Sequence, residues 1–500
     1  MKDILDSNRV AIYQDENVKQ YFTVPPFHPS QNYPEYVFGE ECISPKRNET
    51  YNMVREALIL LGLDKDNIDK KEWNPLKEWI SSGDTVVLKP NFVLDKHYEG
   101  GTLDCVITQP DVIRAVMDYV YIALDGHGKI IVADAPQCNC DFDNLKRVTK
   151  VESIIDFYKK NTCVDVELRD LRQTQYNYNS MGYLQSDSRN ALQGDKDGYC
   201  VVNLQESSEF YNVSNEDRIY GADYNRNETM KHHNGKTHEY CVSGTILNAD
   251  VVICIPKMKV HRKAGVTLNL KNLIGINGNK NYLPHFKLGL KEDGGDEYMY
   301  LTKIQKKEQY IHRLFIERFR VNSNKWKDII CSVENVFHVA WRKVFYRRTP
   351  QNMICGGDWY GNDTIWRTVL DLNKILIYCD KNGEMCEQPQ RRILCVVDGI
   401  IGGENEGPLV PTPKMAGVIA IGINPLLVDS VLARIMGFDI QKIPKLRHGF
   451  HMQKYPISNI KYEDIEIVSN KKEYIGANVN RSERYLAFVP SKGWIGNIEI

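Results

Sequence analysis

Five short runs rich in valine and isoleucine stand out along the chain: TVVLKPN at 85–91, KIIVADAP at 129–136, ADVVICIPK at 249–257, ILCVVDG at 393–399 and GVIAIGI at 417–423. Each is apolar without alternation and bounded by glycine, proline or charge, as strands buried on both faces are. Between the first two lies QPDVIRAVMDYVYIALDGHG, a helical pattern with Pro110 where a helix begins and Gly126 where one stops. Buried strands alternating with helices predict an α/β fold, a mostly parallel sheet covered by helices on both faces. The longest apolar stretch, residues 415–438, approaches a bilayer span but is broken by Asn424, Pro425, Asp429 and Arg434. It predicts a buried strand, a turn at Asn-Pro and a buried helix in place of a membrane span.

Two long insertions interrupt this pattern. Residues near 171–245 are polar and rich in tyrosine and asparagine, and residues near 298–350 are helical and strongly basic. Insertions of this size predict lids or interaction arms. The tail carries short alternating stretches such as YEDIEIVS and predicts a small C-terminal β appendage. The resulting organisation is an N-terminal extension with the first helices at 1–83, an α/β core at 84–440 and the appendage at 441–500.

Charge narrows the possible partners. The formal net charge is −1, so no overall field gathers nucleic acid or anionic lipid, and any anion recognition must be local. No nucleic-acid signal is evident and no membrane partner is expected. The thirteen cysteines follow no repeated spacing, and MKDILDSNRV lacks the basic-then-apolar layout of a secretory signal. A cytoplasmic location with reduced thiols is the simplest expectation. No run of cysteines has iron–sulfur spacing. Phosphate-binding GxxxxGK[ST], dinucleotide GxGxxG and nucleophile-elbow GxSxG patterns are also missing.

The chemistry concentrates at the strand ends, where open α/β sheets bind ligands. After the first run come Lys89 and Asn91, after the second Asp134, after the third Lys259 and His261, and after the fourth Asp398, with Glu404 and Glu406 beyond. From Val251 to Lys291 there is no acid but eight lysines and arginines, with His261 and His285 among them. The sign then flips in EDGGDE, 292–297. A short helix at LNLKNLIG predicts anion-attracting amides near Lys271 and Asn272, and GINGNKN suits a backbone nest. The carboxylates of EDGGDE suit a divalent cation. In CGGDWYGNDTIWRTVLDLN, Asn362 or Asp363 can cap a helix that pairs Arg367 with Asp371, and Asp358 and Arg367 are further site candidates.

The phrases VVLKPNFV, IPKMKVHRKAGVTLNLKNLIGINGNK, GGDEY, GGDWYGNDTIWR and VVDGIIGGENEGP, followed by INPLLVDSVLARIMG, resemble domain of unknown function 362. The likeness runs from about residue 84 to about residue 440 and has the longer form of that family, without the ferredoxin-like iron–sulfur extension of some members. His261, Gly265, Thr267, Lys271 and Asn272 stand where the family has them. Val260 departs from the usual threonine between lysine and histidine. The resemblance implies an α/β fold and that these residues act together; it implies no reaction.

Together these features predict a metal-assisted enzyme acting on an anionic small molecule that carries phosphate or carboxylate. Lys89, Lys259 and Lys271 would neutralise the anion, while Asn91, Thr267, Asn272 and Arg367 would orient it. His261 and Lys271 are the catalytic candidates, His261 as general acid–base because imidazole titrates near neutrality. Asp398, Glu404 and Asp296 would hold a divalent metal such as Mg²⁺. Two alternatives stand beside this reading. One is a redox protein working with an iron–sulfur or flavin partner. The other is a non-catalytic binding module whose basic helices at 303–348, with Arg347 and Arg348, recognise an acidic partner.

Overall fold

The computed structural model describes residues 4–177, 189–223, 225–319, 325–345, 354–476 and 485–500, so Arg347 and Arg348 lie outside the described residues. All five apolar runs form strands of one sheet. Its strands are β1 (Arg9–Gln14), β2 (Thr85–Pro90), β3 (Lys129–Asp134), β4 (Asp165–Asp170), β5 (Val251–Ile255), β6 (Lys257–His261), β7 (Arg392–Glu406), β8 (Val410–Gly422) and β9 (Glu466–Ser469), with the short Gly265–Val266 strand antiparallel to β6. The order is β9-β1-β8-β7-β5-β2-β3-β4, with β6 also pairing along β7. From β7 to β4 every neighbour is parallel, whereas β8 runs antiparallel to both β7 and β1. Every residue of β5 is buried, as the unbroken VVICI run requires of a strand covered on both faces.

The helices used below are α1 (Glu49–Leu61), α2 (Pro110–Leu124), α3 (Leu268–Asn272), α4 (Lys303–Phe319), α5 (Lys325–Phe345), α6 (Ile365–Tyr378) and α7 (Pro425–Met436); further helices cover Phe142–Thr149, Glu152–Asn161, Arg226–His232, Gly244–Leu247 and Pro444–Gly449. Helix α2 starts at Pro110, where a missing N–H costs nothing, and ends in left-handed backbone at Asp125 and Gly126. The apolar stretch at 415–438 divides as its Asn-Pro turn dictates. Strand β8 ends, the Asn424 carboxamide accepts hydrogen bonds from Leu426 and Leu427 N–H, and α7 begins.

The C-terminal β element is the sheet's edge: β9 lies parallel to β1, with Arg9 opposite Glu466. Beyond it the chain returns to the core, where Phe488 and Trp494 are buried and the Trp494 indole donates to Arg262 O. The first insertion folds back as well. Tyr199–Asn203 pairs with Glu239–Ser243, and Ile219–Gly221 pairs with Pro284–Lys287, which brings residues 220–223 against the carboxyl ends of β3 and β6.

Candidate active site

A cavity of about 370 Å³ opens where β2, β3 and β6 end. Asn91, Asp134, Lys259, His261, Lys263, Thr267, Lys271 and Asn272 line it, and the insertion's Tyr220–Asp223 forms a wall. Strand ends and the 251–291 segment thus converge as the sheet topology predicts.

The cavity's charges are unevenly paired. Its acids already have cations: Asp134 lies 2.7 Å from Lys89 Nζ, Asp358 2.7 Å from Lys263 Nζ, and Asp223 3.0 Å from Arg189. Lys259, Lys271 and Lys280 also line the cavity and are buried, yet among the described residues none forms an ion pair. Lys259 Nζ donates to Val106 O and to Pro408 O, and Lys280 Nζ donates to Ala135 O at 2.9 Å. Lys271 donates no hydrogen bond among the described residues. Burial pulls the Lys259 ammonium down to about 7 and Lys280 to about 8. Lys271 falls well below the usual lysine range through burial, then through repulsion from Lys445, Lys259, Lys280 and Lys263. That lowering favours the neutral form of its amine. Two neutral polar atoms complete the demand for a ligand, since Asn91 Oδ1 and Thr267 Oγ1 are buried with no hydrogen-bond partner among the described residues.

The two histidines present opposite faces. His261 Nδ1 accepts from Lys263 N–H at 3.0 Å and Ala264 N–H at 3.3 Å, so the ring's proton resides on Nε2. Burial, then the lysines 271, 263, 259 and 445, holds this imidazole neutral well below its ordinary value. His261 is thus built to donate from Nε2, whereas the sequence pattern suggested an exchangeable acid–base. His285 is the converse. Its Nδ1 lies 2.9 Å from Leu283 O and must donate, which leaves Nε2 an acceptor, and burial lowers its titration to about 3.

Lys89 supports the cavity without lining it. Lys89 is fully buried beneath it, bonded to Asp134, Pro90 O and Asn272 Oδ1, while the Asn272 amide returns a bond to Lys89 O. Asn272 is thereby spent on holding Lys89. Gly275 packs so closely here that a Cβ would overlap the Asp134 carboxylate and crowd Lys89 Nζ. The amides of α3 are not free for an anion: Asn269 and Leu270 N–H donate to the Asp429 carboxylate, which Lys445 approaches to 3.6 Å. Nor is GINGNKN an open nest, because Gly278 N–H donates to Cys241 O.

The three proposed metal carboxylates are not brought together. Strand β7 continues to Glu406 where a loop after Gly399 was expected, so Asp398 lies mid-strand, fully buried, accepting from Lys257, Tyr21 and Gln109 N–H. Glu404 accepts from Val489 N–H and lies 3.8 Å from Lys414. Asp296 accepts from Lys287 N–H, Asp363 N–H and the Thr364 hydroxyl, tying its turn to the start of α6. These residues do not fit a shared metal, and no chemistry is derived through one. Two other acids of EDGGDE bind α4, through Asp293–Lys306 at 2.6 Å and Glu297–Arg313.

Arg367 also lies off the cavity. It pairs with Asp363 at 3.1 Å, stacks on Trp366 and donates to Glu209 O, while Asp371 is held by Ser208, Tyr240 and Lys374. The expected Arg367–Asp371 pair does not form, although Asn362 does accept from Thr364 and Ile365 N–H at the start of α6. Lys280, His285 and Cys138, none of them among the site residues the sequence singles out, also line the cavity. The signal for the first two was their place in the acid-free span.

No curated protein matches the chain. The family described as a domain of unknown function, DUF362, matches residues 86–188 and 194–434, spanning β2 to α7 and nearly every cavity residue described above. The chain belongs to this family.

Proposed function

We propose that the protein is an enzyme that binds a small phosphate- or carboxylate-bearing molecule in this cavity. The observation that carries the reading is the trio of buried lysines without counter-charges, Lys259, Lys271 and Lys280, beside acids already neutralised by other cations. Burying cations without partners is costly, and a ligand anion relieves that cost. In this reading Lys259 and Lys280 take up protons and grip the anion. Lys271 serves as proton acceptor, and the His261 Nε2–H stabilises negative charge that develops on the bound molecule. The Thr267 hydroxyl donates to the anion, and Asn91 Oδ1 accepts from an O–H or N–H elsewhere on the ligand.

Calorimetric titration with inorganic phosphate, sulfate and small carboxylates tests the reading. Binding at one site per chain, weakened at least tenfold in a Lys271→Met variant that melts as the wild type does, is the expected outcome. Equal affinity in that variant, or no binding of any anion, would remove Lys271 or the cavity from the proposal.

A further inference from the structure

Helices α4 and α5 form a hairpin whose amphipathicity is inverted. The seam between them is polar. His312 Nδ1 lies 2.8 Å from Glu334 and His338 Nε2 2.7 Å from Glu308, so Glu-x3-His on each helix answers the same spacing on the other. Gln305, Gln309 and Cys331 are also buried, with Gln309 accepting from the Tyr298 hydroxyl. The apolar residues face outward. Trp326, Ile330, Val333, Phe337 and Trp341 recur every three or four residues along α5, and all are exposed, Trp326 at 78% and Phe337 at 72%. On α4, Ile304, Ile311 and Leu314 are exposed as well. A stripe this large on a water-facing hairpin marks an interaction surface.

Charge decides which partner suits it. Residues 303–345 hold ten lysines and arginines against four acids, a net of +6 in a chain whose total is −1; Lys306 and Arg313 are paired with Asp293 and Glu297, which leaves the hairpin and those two acids together at +4. A second copy of the hairpin would bring like charge to like, whereas an anionic lipid surface is complementary. The basic residues cluster toward the helix ends, and between Ile329 and Trp341 the only charged side chain is Glu334, which faces His312 across the seam. That apolar stretch is about 20 Å long at the helical rise, short of the roughly 30 Å hydrocarbon core. Among the described residues no helix is long and apolar enough to cross a membrane. We infer that the α4–α5 hairpin lies flat on an anionic membrane surface, its aromatic and aliphatic stripe in the headgroup boundary and its basic helix ends toward the phosphates. The sequence expectation of no membrane partner rests on the lack of a spanning segment and on a net charge of −1; this mode needs neither a span nor an overall field, because the hairpin's charge is local. The inference is independent of the cavity's ligand.

Flotation of the full chain with phosphatidylcholine vesicles, with and without phosphatidylserine, tests it. The chain is expected to float with the anionic vesicles, to shift its tryptophan emission to the blue, and to be released by high salt. Phe337→Glu and Ile330→Glu change exposed side chains, so the fold should survive, as an unchanged melting curve would verify, while vesicle affinity falls tenfold or more. Failure to float with anionic vesicles, or flotation unaltered in both variants, would overturn the inference. So would a concentration-dependent dimer abolished by Phe337→Glu in a chain that ignores vesicles, which would give the face to a second copy.

Discussion

Filling the cavity with an anion should draw protons from solution, and the structure sets how many. Sulfate is the cleanest probe because it stays fully ionised across the relevant range. In the empty cavity Lys259 titrates at about 7 and Lys280 at about 8. At pH 8 the first is therefore about one-tenth protonated and the second about half. An anion that restores both to the usual lysine range would cause an uptake of roughly 1.4 protons per site, more if Lys271 is also charged. The sign follows from linkage: the bound state holds more protons than the free state, so affinity falls as pH rises from about 7 toward 10. Calorimetry in buffers of differing ionisation enthalpy reads the uptake as the slope of apparent enthalpy against buffer enthalpy. Lys259→Met should remove about 0.9 of a proton and Lys280→Met about 0.5 at that pH. A slope near zero with sulfate bound would mean the lysines are already charged in the empty cavity, and the electrostatic argument would fail.

Three further substitutions separate cavity from scaffold. Gly275→Ala pushes a methyl group against Asp134 and Lys89, and should cost about 1–3 kcal/mol in urea denaturation and weaken sulfate binding. Asp429→Asn removes the charge that holds Asn269, Leu270 and Lys445, and should cost about 3 kcal/mol by the same measurement, the scale of a broken buried pair. Arg367→Ala removes a partly exposed pair outside the cavity, and should cost about 1 kcal/mol or less while leaving the sulfate affinity unchanged by calorimetry.

The five apolar runs were legible as strands because they are buried on both faces, where side-chain chemistry is dictated by burial, whereas β4, with its burial broken by exposed and half-buried positions, was not. The same holds for α2 and α7, whose ends are written in Pro110, Asp125, Gly126 and Asn424. The cationic half of the site was legible too, since Lys259, His261, Thr267 and Lys271 lie within thirteen residues at the end of one strand. The acids were not. Asp398 is an acid in a strand whose glycines look like a loop, and nothing local announces that Lys257 and Tyr21 will neutralise it. Asp429 reaches the amides of α3 from about 160 residues away in sequence. Asp296 looked like a cation ligand and instead fastens a turn to α6. In each case a long-range partner decides the role, and a single sequence carries no record of which partner that will be. The tautomer of His261 belongs to the same class, because two backbone N–H groups set it.

The central claim is that an anion sits among Lys259, Lys271 and Lys280. A crystal structure of the protein soaked with selenate, with diffraction recorded at the selenium edge, tests it most directly. The account predicts an anomalous peak inside the cavity, within hydrogen-bond distance of Lys271 Nζ and His261 Nε2. Selenate found only on the outer surface, with the cavity lacking any selenium peak, would contradict it.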